Sequence, residues 1–215
     1  MRRNYFSAYC LLLLLTPVLT WSQETYTFDR LLVYETLFEK KGKRGYLTSQ
    51  LVNSKDNSYY ALIRRNPKGG VELYFEHRGI GKCAYVDLAV NRLNDGDEVQ
   101  VKKRLLKRLK KGATEMSWQQ PRDTIVSGNS YVILSLDPTN PKDRKTQPLR
   151  FLLDKEAPDF QTNFWMEFHP DTWESSKGLP MGMITQVMTY NPFRYLLSNT
   201  YLKSQKNMSV RLIVN

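Results

Sequence analysis

Three residues late in the sequence carry the pattern closest to an active site. Glu167, His169 and Asp171 alternate within Trp165-Met166-Glu167-Phe168-His169-Pro170-Asp171. On an extended segment alternate side chains share one side, so two carboxylates and an imidazole would stand together. That set could ligate a divalent metal or run an acid–base step, the chemistry of a metal-dependent hydrolase. Pro170 works against regular extension, and one short segment seldom supplies a whole site. A turn histidine satisfied by its surroundings is the plainer reading. His77 is the only other histidine, and nothing in the spacing brings it to Cys83 as base to nucleophile.

Other motifs offer less. Gly79-Ile80-Gly81-Lys82-Cys83-Ala84 spells a dinucleotide fingerprint. That fingerprint works only where a helix N-terminus follows to hold the pyrophosphate, and strand-like residues follow here. There is no GxSxG serine elbow and no P-loop. No catalytic, cofactor-binding or metal-ligating residue is assigned, no cofactor is expected, and a non-enzymatic protein is favoured.

The basic run Lys102 to Lys111 (KKRLLKRLKK) is the strongest surface feature, holding Lys102, Lys103, Arg104, Lys107, Arg108, Lys110 and Lys111. On a helix, Leu105, Leu106 and Leu109 would share one face with the bases around the rest. Such a segment could lie on an anionic membrane surface or dock on an envelope protein or polyanion. The plainer alternative is a solvated charged hairpin ended by Gly112, the kind of basic turn that guards a sheet edge. Nucleic acid is not favoured, since no zinc knuckle, recognition helix or aromatic RNA-binding signature accompanies the charge.

The elements that must position these groups read as strands. Tyr26 to Glu35, Tyr46 to Asn53, Tyr59 to Arg64, Val71 to His77, Cys83 to Val90 and Glu98 to Lys103 are rich in aromatic and branched residues. Ser54-Lys55-Asp56-Asn57, Asn66-Pro67-Lys68-Gly69-Gly70 and Asn94-Asp95-Gly96-Asp97 separate them as turns. In Val71 to Glu76, alternation of Val71, Leu73 and Phe75 with Glu72, Tyr74 and Glu76 predicts one wet face. Ile125-Val126, Tyr131 to Leu136, Leu149 to Leu153, Met181 to Tyr190 and Val210 to Val214 continue the series. Gln161 to Phe168 reads as a short helix or an irregular aromatic segment. Strands at roughly ten-residue spacing, with few short helices, predict a mainly β protein: a single curved antiparallel sheet or half-open barrel.

The first 22 residues set an expected address. Arg2 and Arg3 precede an apolar stretch around Leu11 to Leu15, Pro17 breaks it, and small side chains stand before Gln23, the layout of a cleaved signal peptide. The apolar run is far shorter than the roughly 20 residues of a membrane span. Residues 23–215 then form one β-rich domain, exported to the periplasm, the cell envelope or beyond. Losing Arg2 and Arg3 takes the net charge from +11 to +9, and losing Cys10 leaves Cys83 as the only cysteine. One cysteine closes no internal disulfide, so the fold depends on packing, and Cys83 itself is expected to be buried and inert.

Three stretches together carry a resemblance. They are YTFDRLLVYE at Tyr26 to Glu35, NSKDNSYYALI at Asn53 to Ile63 and KGLPMGMIT at Lys177 to Thr185. In this order they resemble uncharacterised secreted proteins of Bacteroidota-type bacteria. The third is also similar to the GLPGLI family, though Met181-Gly182-Met183-Ile184 lacks its second Gly-Leu-Ile, and to the late strands of LolA-like lipoprotein carriers. The resemblance implies a curved, incomplete antiparallel barrel with an apolar concave face, and it carries no family active site. Together these readings favour a secreted or periplasmic envelope protein that binds an apolar or lipid-like ligand. The alternatives are an envelope docking module using residues 102–111 and, less favoured, a metal-dependent hydrolase.

Overall fold

The computed structural model describes residues 23–40, 45–65, 70–88, 92–109, 115–140, 142–143, 145–157, 160–164 and 170–215. The expected signal peptide lies outside them. In chain order the strands are β1 (Glu24–Phe38), β2 (Tyr46–Asn53), β3 (Asp56–Arg65), β4 (Val71–His77), β5 (Lys82–Leu88), β6 (Glu98–Val101) and β7 (Lys107–Arg108). Then come β8 (Met116–Trp118), β9 (Arg122–Val126), β10 (Asn129–Pro138), β11 (Leu149–Asp154), β12 (Met183–Tyr190) and β13 (Leu196–Val214). Among the described residues one α-helix, α1 (Pro170–Ser176), precedes β12. Proline at its first position fits, because the first turn leaves N–H groups unpaired in any case.

All thirteen strands join one sheet, ordered β7-β5-β4-β3-β2-β1-β13-β12-β11-β10-β8, with β6 added to β13 and β9 to β10. The pairing is antiparallel except between β13 and β6. The sheet does not close, yet it curls enough to bring β6 against β5. The expected curved antiparallel sheet is therefore present.

Three cores form on this curve. Within the first curl, Tyr26 and Phe28 of β1 meet Leu51, Tyr59, Leu73, Phe75, Val99, Val210 and Leu212. The β1–β13 pairing slips between Phe28 and Arg30, and β1 changes face there. Leu32 and Tyr34 accordingly point to a second core with Tyr60, Leu62, Tyr74 and Phe160. A third core lies on β10, β11 and β12 around Leu134, Phe151 and Val187.

Four local readings need correction. The expected wet face of β4 is covered: Tyr74 and Glu76 are as buried as Leu73 and Phe75, because β4 sits between two cores. Among its described residues, 102–109, the basic run forms no α-helix. Lys103–Leu105 makes one 3-10 turn, and Lys107–Arg108 pairs with the start of β5. Leu106 packs against the first core while Leu105 is exposed, so the leucines do not share a face. Cys83 is half-buried rather than buried. The strand expected at Val210 to Val214 begins at Leu196. Its polar middle, Ser204 to Asn207, pairs with β1.

Candidate functional site

A groove of about 850 Å³ opens at one end of the first curl. The loops joining β1 to β2, β3 to β4 and β5 to β6 leave the sheet at this end, as the pairs Thr36↔Tyr46, Arg65↔Val71 and Val71↔Leu88 show. Leu31, Ile63, Val71, Leu93 and Met208 make an apolar wall, and Tyr46 to Ser49 of β2 line the mouth. Arg64 and Arg92 line it too and are exposed. Alternation in Tyr59-Tyr60-Ala61-Leu62-Ile63-Arg64 explains the juxtaposition: Ile63 packs against the first core while Arg64 turns to the other face. The Arg64 guanidinium lies 5.3 Å from the centre of the Tyr74 ring, on the face opposite the Ile63 wall. The arrangement offers apolar contact inside and positive charge at the edge. It suits a molecule with a hydrocarbon body and an acidic head.

A buried polar knot lies on the opposite face of the same strands. Arg78 Nε donates to Glu76 Oε1 at 3.0 Å, and both side chains are almost wholly buried. Tyr60 and Tyr74 donate their hydroxyls to Glu76 Oε2 at 3.0 and 2.8 Å. Burial holds both phenols well above the usual tyrosine range, so they stay protonated as donors. Arg78 also donates to the Phe164 carbonyl and lies over the rings of Tyr60 and Trp173, 4.7 and 4.9 Å from their centres. Through the Arg78 bond to its carbonyl, the knot ties Phe164 to β3 and β4.

Those residues form an irregular strap across the sheet. Gln161 N donates to the Ser54 carbonyl, Asn57 Nδ2 donates to the Thr162 carbonyl, and Gln50 Nε2 donates to Asn163 Oδ1. Thr162 Oγ1 donates toward the carbonyls of Pro180 and Gly182, and Gly182 N donates to the Phe160 carbonyl. The Gly178-Leu179-Pro180-Met181-Gly182 stretch thus anchors the strap, a structural task.

The residues singled out from sequence are placed as follows. Lys102, Lys103, Arg104, Lys107 and Arg108 are exposed, and Lys110 and Lys111 lie outside the described residues. Lys103 N donates to the Asn215 carbonyl and Leu109 N to the Gly81 carbonyl. This cluster therefore borders the β4–β5 turn, at the other end of β5 from the groove. Glu167, His169 and the Asp171 side chain lie outside the described residues. Among the described residues no three His, Cys, Asp or Glu side chains gather as metal ligands. Sequence reading missed the groove, although Arg64 directly after Ile63 was a visible cue.

No protein-family model matches the chain, and no curated protein matches it in sequence. Among solved structures, MucB of Pseudomonas aeruginosa in a MucA/MucB complex is similar at 12% identity and TM-score 0.34, over 83% of this chain and 51% of that one. This chain therefore spans about half the length of MucB. A LolA superfamily protein from Nitrosomonas europaea is similar at 13% identity and TM-score 0.32, over 84% of this chain and 85% of that one. A DUF1329 family protein from Desulfovibrio piger is similar at 11% identity and TM-score 0.33, over 86% of each chain.

Proposed function

We propose that this is an exported, non-enzymatic protein of the cell envelope, and that it takes a lipid-like ligand with an acidic head into the groove. The groove carries the reading. Its volume of about 850 Å³ falls within the roughly 300–1,000 Å³ of small-molecule sites. Its wall is aliphatic, and Arg64 and Arg92 stand where a carboxylate or phosphate would meet water. The N-terminal pattern of Arg2, Arg3 and Leu11 to Leu15 supports export. No helix among the described residues is long and apolar enough to cross a membrane.

The test is titration with a fluorescent long-chain fatty acid. Saturable binding is expected. Filling the groove with Ile63→Trp should weaken it about tenfold or more, and Arg64→Glu with Arg92→Glu should weaken it while sparing an uncharged acyl probe. Absence of binding, or equal binding by Ile63→Trp, would sink the reading.

A second reading rests on the five exposed bases Lys102, Lys103, Arg104, Lys107 and Arg108. They would dock on a polyanionic envelope component such as lipopolysaccharide. Charge reversal at Lys107 and Arg108 should then abolish salt-sensitive binding to that polymer.

A further inference from the structure

The groove end of the molecule carries a second feature, which shares Tyr46 and Leu47 with the groove's lining and extends beyond it. Five of the eleven exposed large hydrophobics among the described residues gather there: Leu37, Tyr46, Leu47, Phe193 and Tyr195. They come from two neighbouring hairpins. Phe38 of β1 pairs with Ser198 of β13, and Glu39 N donates to the Leu197 carbonyl. The β1–β2 connection and the β12–β13 turn therefore leave the sheet side by side.

The β12–β13 turn, Asn191-Pro192-Phe193-Arg194-Tyr195, is held stiffly. Asn191 Oδ1 accepts from the backbone N–H of both Phe193 and Tyr195 at 2.9 Å. Asn191 N donates to the Tyr195 carbonyl at 2.9 Å, and Arg194 N to the Asn191 carbonyl at 2.8 Å. Arg194 sits at φ +66°, a conformation that glycine takes without strain and arginine does not. The turn thus holds Phe193 and Tyr195 at 66% and 71% exposure with a cation between them.

On the two hairpins stand the exposed bases Lys40 and Arg194 and one exposed acid, Glu39; farther along the same end are the exposed bases Arg64 and Arg92 and the exposed acid Asp87. Aromatic rings flanked by bases match the interfacial zone of a bilayer, where rings settle among headgroups and cations meet lipid phosphates. We infer that this end docks on an anionic membrane surface, with Phe193, Tyr195, Tyr46 and Leu47 entering the headgroup layer and Lys40 and Arg194 contacting phosphates. The surface stands on its own observations and holds whether or not the groove takes a ligand. If the groove does, Tyr46 and Leu47, which line its mouth, place that mouth at the membrane.

The test is sedimentation of the purified protein with vesicles of phosphatidylcholine, with and without phosphatidylglycerol, at low and high salt. Binding to the anionic vesicles that weakens with salt is expected. Phe193→Ser with Tyr195→Ser should cut the partition coefficient about tenfold or more, and Lys40→Glu with Arg194→Glu should do the same. Lys107→Glu with Arg108→Glu, at the other end, should change it little. Solution binding of the fluorescent fatty acid by the Phe193→Ser, Tyr195→Ser variant should match wild type, which separates this surface from the groove. Equal sedimentation of the tip variants and wild type, dependence on Lys107 and Arg108 instead, or no sedimentation at all would each overturn the inference.

Discussion

At the residue scale the Glu76–Arg78 pair is the most consequential interaction in the described fold. Two charges with side chains 3% and 4% exposed are tolerable because they pair with each other and because Tyr60, Tyr74 and the Phe164 carbonyl add further hydrogen bonds. Removing one partner strands the other charge. Arg78→Met should lower stability by about 3–5 kcal/mol, read from the denaturant midpoint, and Glu76→Leu added to it should recover much of that loss. The neighbouring His77 titrates the other way from a stabilising ion pair. Burial lowers its pKa below 6.5, outweighing the upward pull of Asp56 and Glu24. The folded state therefore resists protonation that the unfolded chain accepts. Stability is full above about pH 6.5 and falls as pH drops toward the folded pKa. His77→Phe keeps a ring against Tyr26 and Tyr59 and should flatten the stability profile across that window. None of this was legible at Glu76 itself. Alternation along β4 marks it as wet, because period two reports which residues share a face and says nothing of what covers that face.

At the element scale the strands were legible and the strap was not, for one physical reason. Strand signals are local: branched residues, alternation and a turn every ten residues suffice to find β2 and β4 with their bounds. The strap at 160–164 has no period. It is specified by Ser54, Asn57, Gln50 and Arg78, over 80 positions away in the sequence. The polar middle of β13 was missed for a related reason, since Ser204 to Asn207 find their ladder partner on β1. The strap's anchor gives a sharp prediction. Gly182 has φ +152°, and a Cβ there would lie 2.7 Å from the Asp154 carbonyl oxygen. Gly182→Ala should cost about 1–3 kcal/mol and speed amide exchange at Gln161 and Phe164 more than in β3.

At the scale of the whole molecule, function was less legible than fold because the groove draws on β1, β2, β3, β4, the loop before β6 and β13. No spacing rule joins Leu31 to Met208. Curvature does so, and curvature follows from twist and the register slips between β1 and β13. Shaving the seam between these strands should therefore loosen the groove as well as the core. Leu212→Ala, at a fully buried position opposite Tyr26, should cost about 2–5 kcal/mol and weaken fatty-acid binding in the same titration. That seam has another consequence. β1 bonds to β13 along nearly its whole length, although Thr36 and Thr200 stand 164 positions apart. A nascent chain emerging N-terminus first can zip β2 to β5 as hairpins. Tyr26 and Phe28 still lack the wall that Val210 and Leu212 supply until translation has reached β13. The first core thus stays open until the last strand of the sheet is available to close it.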